Sequence, residues 1–285
     1  MEINSPLMPP TLFPVDLQLC SLASGSSGNC YYVGSSTEGV LVDCGISARR
    51  IRKVLEEIGV GIEAVKGILI THNHIDHISS LTRLTKKHQI PVYCTEGTWK
   101  GIMRNRMTFD ADPLMYRPLK TFEILQIGSL RIEAFPVSHD AHEAVGYHFR
   151  AAGRNLTIAT DLGVIGDHAA HYLKNSDVMV IESNYDEFML LNGHYPDHLK
   201  QRVHSSMGHM CNAHTAEFLA ENYHAGISHI LLCHLSAENN TPEHVLKTLY
   251  DTFSNKGVQI HTNTIVKALP RGSRSEVFIL SGEQL

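Results

Sequence analysis

The stretch THNHIDH places His72, His74, Asp76 and His77 within six residues. Imidazole nitrogens and carboxylate oxygens bind Zn²⁺ at about 2.0 to 2.2 Å, and a tetrahedral site takes four donors. Four protein donors exceed one such site once a water is counted, so the cluster points to two cations. A polar turn capping a helix would need one side chain, Asp76, and would leave the three histidines unexplained. Two cations need further donors, and three strand-end polar residues that follow apolar runs supply them: His139 in EAFPVSHDA, Asp161 in LTIATDLG and His234 in HILLCHLS. Singly, each reads as an ordinary loop residue; beside the cluster, they read as ligands.

Composition agrees with metal chemistry. Nineteen histidines in 285 residues is an excess for the one side chain that both ligates metals and titrates near neutrality. A hydrophobic content of 43% suffices for one large core, at a length near the limit for a single domain. The formal charge of -5 excludes a global basic field, so a polyanionic partner must be gripped locally. The N-terminus lacks a basic start and an apolar core, and nowhere do about 18 apolar residues run together. The expectation is a cytoplasmic protein with no membrane partner. Six scattered cysteines without a C-x-x-C pair suit buried thiols in a reducing compartment.

The elements that must position these donors follow from periodicity. Residues 1–15 read as an N-terminal extension, poorly ordered, and 16–285 as a single domain. LQLCSLASGSSGNCYYVGS reads as strand, turn, strand, and GVLVDCG as a third strand ending on Asp43. Ser47 caps a helix whose apolar face carries Ile51, Val54, Leu55 and Ile58. VKGILIT is a strand, HISSLTRLTKKHQI a helix and PVYC a strand. The second half repeats the arrangement: strands at SLRIEAFPV, AVGYHFR, NLTIAT, DVMVIES and HILLCH, helices at GDHAAHYLKN, TAEFLAENYHAG and PEHVLKTLYDTFSN, and terminal strands near VQIHT and EVFIL. Two such halves make an α/β fold with two packed sheets and helices outside, a four-layer αββα sandwich. Periodicity alone fits a doubly wound sheet equally well; the metal motifs favour the sandwich.

Taken in order, Asp43 in LVDCG, THNHIDH, His139, Asp161 and His234 resemble the metallo-β-lactamase-fold hydrolases over nearly the whole chain. The resemblance implies that one metal takes His72, His74 and His139, that the other takes Asp76, His77 and His234, that Asp161 bridges them, and that Asp43 orients the histidines from behind. This superfamily cleaves lactams, thioesters and phosphodiesters, so fold alone does not name the substrate. The third histidine here sits in VSHDA and not in the P-G-H-T turn usual for lactamases and thioesterases. Glu182 in VIESNYD and His209 in a Gly-His turn resemble the pair by which related nucleases assist the leaving alcohol. LASGSSGN, ATDLG, ESNYD, GHMCN and HLSAENN together resemble the YycJ/WalJ group of bacterial nucleases. That resemblance implies a dinuclear phosphodiesterase, a 5′-to-3′ exonuclease on DNA more than RNA, with Zn²⁺ or Mn²⁺. Asp76 and His209, the latter held by Glu182, would be catalytic. The alternative is a thioester or β-lactam hydrolase using the same centre.

Substrate gripping is less defined. The loop Ser24 to Asn29 offers Ser24, Ser26, Ser27 and Asn29 as phosphate contacts, or is simply a hairpin turn. RRIRK (residues 49–53) reads more readily as a solvated helix face than as a phosphate-binding stripe, and Lys100, Arg104 and Arg106 are rim candidates. GHMCN carries Met210 and Cys211 where Leu-Ser is usual, and no cap-sized insertion separates the Asp161 and His234 strands.

Overall fold

The computed structural model describes residues 17–280; the extension expected over 1–15 lies outside them. Fourteen strands among the described residues form two seven-stranded sheets. The first sheet runs, edge to edge, Phe278–Leu280, Leu17–Ala23, Cys30–Gly34, Gly39–Val42, Val65–Leu69, Val92–Cys94 and Tyr116–Pro118. The second runs Ile265–Ala268, His229–Cys233, Val178–Glu182, Arg154–Ala159, Val145–Ala151, Leu130–Pro136 and Ile124–Ile127. Each sheet begins with antiparallel hairpins and turns parallel where helical crossovers enter, at Gly39–Val42 beside Val65–Leu69 and at Arg154–Ala159 beside Val178–Glu182.

The central strands are buried on both faces, which is why they read as continuous apolar runs and not as alternating ones. Val40, Val42 and Leu69 of one sheet meet Tyr147, Ile158, Val180 and Leu231 of the other. On the reverse of the first sheet Leu41, Ile68 and Ile70 pack under Ile51, Leu55, Leu81 and Leu84 of the helices. On the reverse of the second, Ile181, Ile230 and Leu232 pack under Leu219, Val245, Leu249 and Phe253. Three apolar layers therefore separate four layers of secondary structure, the sandwich arrangement. Each buried Leu or Ile contributes about 1.5 to 3 kcal/mol.

Local departures have local causes. The helix expected to run from His77 through Ile90 is two, Ile75–Ile78 and Leu81–His88. Ser80 breaks it by donating both its backbone N–H and its hydroxyl to the Cys44 carbonyl, while Cys44 N–H donates to the His77 carbonyl. This stitch ties the THNHIDH loop to the neighbouring strand end. VQIHT is not a strand: the Tyr223 hydroxyl accepts the His261 N–H, Val258 and Ile260 pack against the outer core, and Ile265–Ala268 pairs with His229–Cys233 instead. Helices Glu187–Asn192 and Asp197–His204, between Val178–Glu182 and the helix Asn212–Glu221, have no counterpart in the sequence reading.

Candidate metal centre

Backbone direction assembles the site. Asp43 follows Gly39–Val42, the THNHIDH loop follows Val65–Leu69, Asp161 follows Arg154–Ala159, Glu182 ends its strand and His234 follows His229–Cys233. All sit at carboxyl ends of parallel strands, where crevices open in α/β sheets. His139 joins them from the end of Leu130–Pro136. Asp43, Asp161 and His234 take left-handed backbone with φ of 61°, 55° and 55°, turning each side chain sharply off its strand.

The histidines divide their two nitrogens consistently. His72 Nδ1 lies 3.0 Å from the Thr71 hydroxyl, His77 Nδ1 lies 2.7 Å from Asp43, His139 Nδ1 lies 3.1 Å from the Gly208 carbonyl, and His234 Nδ1 lies 2.7 Å from Glu182. The His74 Nε2 faces Asp140 at 3.6 Å. With the Nδ1 atoms of His72, His77, His139 and His234 engaged behind, their Nε2 atoms and His74 Nδ1 converge in front. His74 Nδ1 lies 3.0 Å from His72 Nε2 and 3.3 Å from His139 Nε2. His77 Nε2 lies 3.5 Å from Asp76 Oδ2 and 3.2 Å from Asp161 Oδ2. Donors of His72, His74 and His139 lie within 4.8 Å of one another, as do those of Asp76, His77 and His234.

Such a set is poorly satisfied by protein alone. His234 Nε2 is buried without a hydrogen-bond partner among the described residues, and converging imidazole lone pairs repel. Burial holds the pKa of His72, His74 and His139 below the ordinary range, so all three are neutral and present lone pairs. Burial disfavours charge on Asp161 and Glu182 also, yet neighbouring imidazoles outweigh it and keep both carboxylates ionised. His72, His74 and His139 face these carboxylates as neutral imidazoles. At His77 burial opposes charge, but the Asp161 and Asp43 carboxylates outweigh it and raise the pKa, so a cation binding there would displace a proton. The donor set fits divalent cations, with the Nδ1 partners of His72, His139 and His234 orienting those rings.

Asp43 accepts from the Thr71 N–H and hydroxyl as well as meeting His77, so one carboxylate orients both His77 and, through Thr71, His72. Glu182 is fully buried; its Oε2 accepts from the Leu162 and Met210 N–H groups, and its Oε1 meets both His209 Nδ1 at 2.8 Å and His234 Nδ1. Burial opposes charge on His209, but the Glu182 carboxylate prevails and raises its pKa to about 9.

A cavity of about 360 Å³ opens onto this centre, lined by Asp76, Asp161, His209 and His234 together with Ser26, Tyr195 and Arg202. Of the loop candidates, Ser26 and Ser27 are exposed. Ser24 is buried, bonded to the Tyr31 hydroxyl and accepting from His234 N–H. Asn29 is also buried, its amide 3.0 Å from His77 Nε2 and 3.5 Å from Asp76. Basic residues of RRIRK are engaged locally: Arg50 donates to the Leu22 and Gly272 carbonyls, Arg52 pairs with Glu56 and Lys53 with Glu57. Lys100 pairs with Glu96. Sequence reasoning missed Asp140, Tyr195 and Arg202. Only Asp140 carried a signal, as a carboxylate directly after His139.

The model of the β-lactamase superfamily domain matches residues 39–234. The chain belongs to this superfamily and is a metal-dependent hydrolase with the metallo-β-lactamase fold. It is 36% identical over 244 residues, 85% of this chain and 90% of the relative, to the exodeoxyribonuclease YycJ of Bacillus anthracis. It is also 36% identical over 222 residues, 78% of this chain and 82% of the relative, to the exodeoxyribonuclease WalJ of Streptococcus pneumoniae. The metallo-β-lactamase fold protein YhfI from Bacillus subtilis shares the fold with a TM-score of 0.66 at 17% identity, covering 91% of this chain and 99% of that one. No helix among the described residues is long and apolar enough to cross a membrane.

Proposed function

We propose that this protein is a dinuclear phosphodiesterase that degrades DNA exonucleolytically, with the 5′-to-3′ direction that the sequence resemblance implies. The observation that carries the reading is the Glu182–His209 pair: a buried carboxylate 2.8 Å from the imidazole Nδ1 at the edge of a metal-type donor set, a contact that raises the pKa of His209. Two relatives that match most of the chain and are named exodeoxyribonucleases support DNA as the substrate.

In this reading His72, His74 and His139 would hold one divalent cation and Asp76, His77 and His234 a second, with the Asp161 carboxylate available as a donor to both. Zn²⁺ and Mn²⁺ both suit imidazole and carboxylate donors. When bound, such cations supply Lewis acidity at the phosphoryl oxygens and lower the pKa of water. The residues of the chain do the rest. Asp76, partly exposed to the cavity, accepts a hydrogen bond from the attacking water. As the water oxygen bonds to phosphorus and its proton leaves through Asp76 to solvent, the scissile P–O bond breaks and His209, with Nδ1 committed to Glu182, passes the proton on Nε2 to the leaving oxygen. A positioned general acid of this kind contributes about 10²- to 10⁴-fold.

The test is metal content by mass spectrometry coupled to cleavage of end-labelled DNA by wild type, Asp161→Ala and His209→Ala. Two metals in wild type, cleavage lost in both variants and metal retained in His209→Ala support the reading. Two metals with turnover of a thioester or lactam but no DNA cleavage would refute it.

A further inference from the structure

We propose that Arg202 and Tyr195 form a subsite for the terminal nucleotide of a DNA chain, with Arg202 gripping a phosphate on the chain end. This rests on the phosphodiesterase reading and adds what selects the substrate.

Apart from the His209 imidazole, the charged groups facing Arg202 in the cavity are the carboxylates Asp76, Asp140 and Asp161, and Arg202 is the single Lys or Arg among the described lining residues. Of the other basic candidates, Arg50, Arg52, Lys53 and Lys100 are engaged with neighbouring backbone or with carboxylates of their own helices. Arg202 stands on the helix Asp197–His204 and reaches Asp140 through Nε at 2.6 Å. Asp140 in turn lies 3.4 Å from His139 Nε2 and 3.6 Å from His74 Nε2. One carboxylate therefore separates the guanidinium from the metal-type donors. The ion pair uses one edge of the guanidinium; Nη1 and Nη2 make no hydrogen bond with the described residues and form a fork suited to phosphate oxygens.

Tyr195 enters the cavity at the start of the same helix, partly packed on Tyr185, Leu190 and Val203. A ring fixed in this way offers a face on which a base stacks, a contact indifferent to sequence. The segment carrying both residues is tethered at its two ends: Asp186 N–H donates to the Asn239 carbonyl, and His209 N–H to the Val203 carbonyl. At about 360 Å³ the cavity sits at the small end of ligand sites and suits one nucleotide, not a duplex.

The experiment measures kcat and KM on one short single-stranded DNA prepared with a 5′-phosphate, a 3′-phosphate or hydroxyls at both ends. Wild type should favour one phosphate-ended form by about 10- to 100-fold, the worth of a hydrogen bond to a charged group. Arg202→Ala should bring that ratio near one, chiefly through KM. Tyr195→Leu should raise KM on all three and leave the ratio intact. Equal rates on all ends in wild type, or a ratio preserved in Arg202→Ala, would overturn the proposal. If Arg202→Ala loses metal or melts early, Arg202→Lys decides instead, since it keeps the charge but not the fork and should reduce the ratio. Should wild type cleave no DNA, the phosphodiesterase reading fails separately. Calorimetry with thymidine 3′,5′-bisphosphate then decides the subsite: binding weakened about tenfold or more in Arg202→Ala supports it, and unchanged binding refutes it.

Discussion

Glu182→Gln keeps the side chain's volume and reverses its hydrogen-bonding sense on one oxygen. The Leu162 and Met210 N–H groups both donate to Oε2, so the amide oxygen must stay there. The amide nitrogen then takes the place of Oε1, facing His209 Nδ1 and His234 Nδ1. A donor at that point forces both imidazoles to accept at Nδ1 and carry their proton on Nε2. His234 Nε2 then has no lone pair for a cation, and His209 loses its charge partner. The Glu182 carboxylate holds His209 at about 9 against an ordinary 6.5, a difference of about 3 kcal/mol. At pH 8 the protonated fraction falls from about nine-tenths to about one-thirtieth. A general acid acts while protonated, so activity is present below its pKa and lost as pH rises through it. The alkaline limb of kcat/KM should therefore move from near 9 to about 6.5 or below. The His209 contribution to stability has the same sign, complete below about 6.5 and lost through about 9. Metal affinity should drop about 10- to 100-fold through His234. A pH-rate profile from 6 to 10 with metal quantified at each point reads both effects. An unmoved alkaline limb with two metals retained would refute the tautomer argument.

Three further perturbations separate structure from chemistry. Gly45→Ala would drive a Cβ into the Asp76 carbonyl, close to Asn29 N; overpacking there should cost about 1 to 3 kcal/mol or more and weaken metal binding, both read by melting with and without added metal. His148 is buried against Thr157, and burial lowers its pKa to about 4. Its contribution is complete above pH 6.5 and lost as pH falls through about 4, worth up to about 3 kcal/mol, so His148→Gln should flatten acid destabilisation in urea melts. Chelation should lower the melting temperature, since ligands held at about a thousand times Kd stabilise by about 4 kcal/mol; an unchanged transition on chelation would argue against bound cations.

The convergence of donors was readable in the sequence because side chains able to hold a cation come in dense, type-specific patterns: THNHIDH, His139, Asp161 and His234 meet at one centre. Buried strands were readable for the same kind of reason, since both faces demand apolar residues. The cavity wall was not. Tyr195 and Arg202 sit in a stretch of mixed polar residues whose helices are six and eight residues long, too short for a clear period. Their meaning comes from tertiary placement beside Asp140. Ser24 and Asn29 stood together in one loop, but hydrogen bonds to Tyr31, His234, His77 and Asp76 turn them inward while Ser26 faces out. VQIHT alternates like a strand, yet the Tyr223 hydroxyl captures its backbone.

The left-handed backbone at Asp43, Asp161 and His234 sets function against durability. Each L-residue in that region costs about 1 to 2 kcal/mol, a penalty glycine avoids. A library screened for heat resistance in the presence of a chelator, where no bound cation contributes stability, should drift toward glycine at Asp161 and His234 and lose the centre. One selected for catalysis should hold them fixed and gain its stability elsewhere, in the sheets and outer helices.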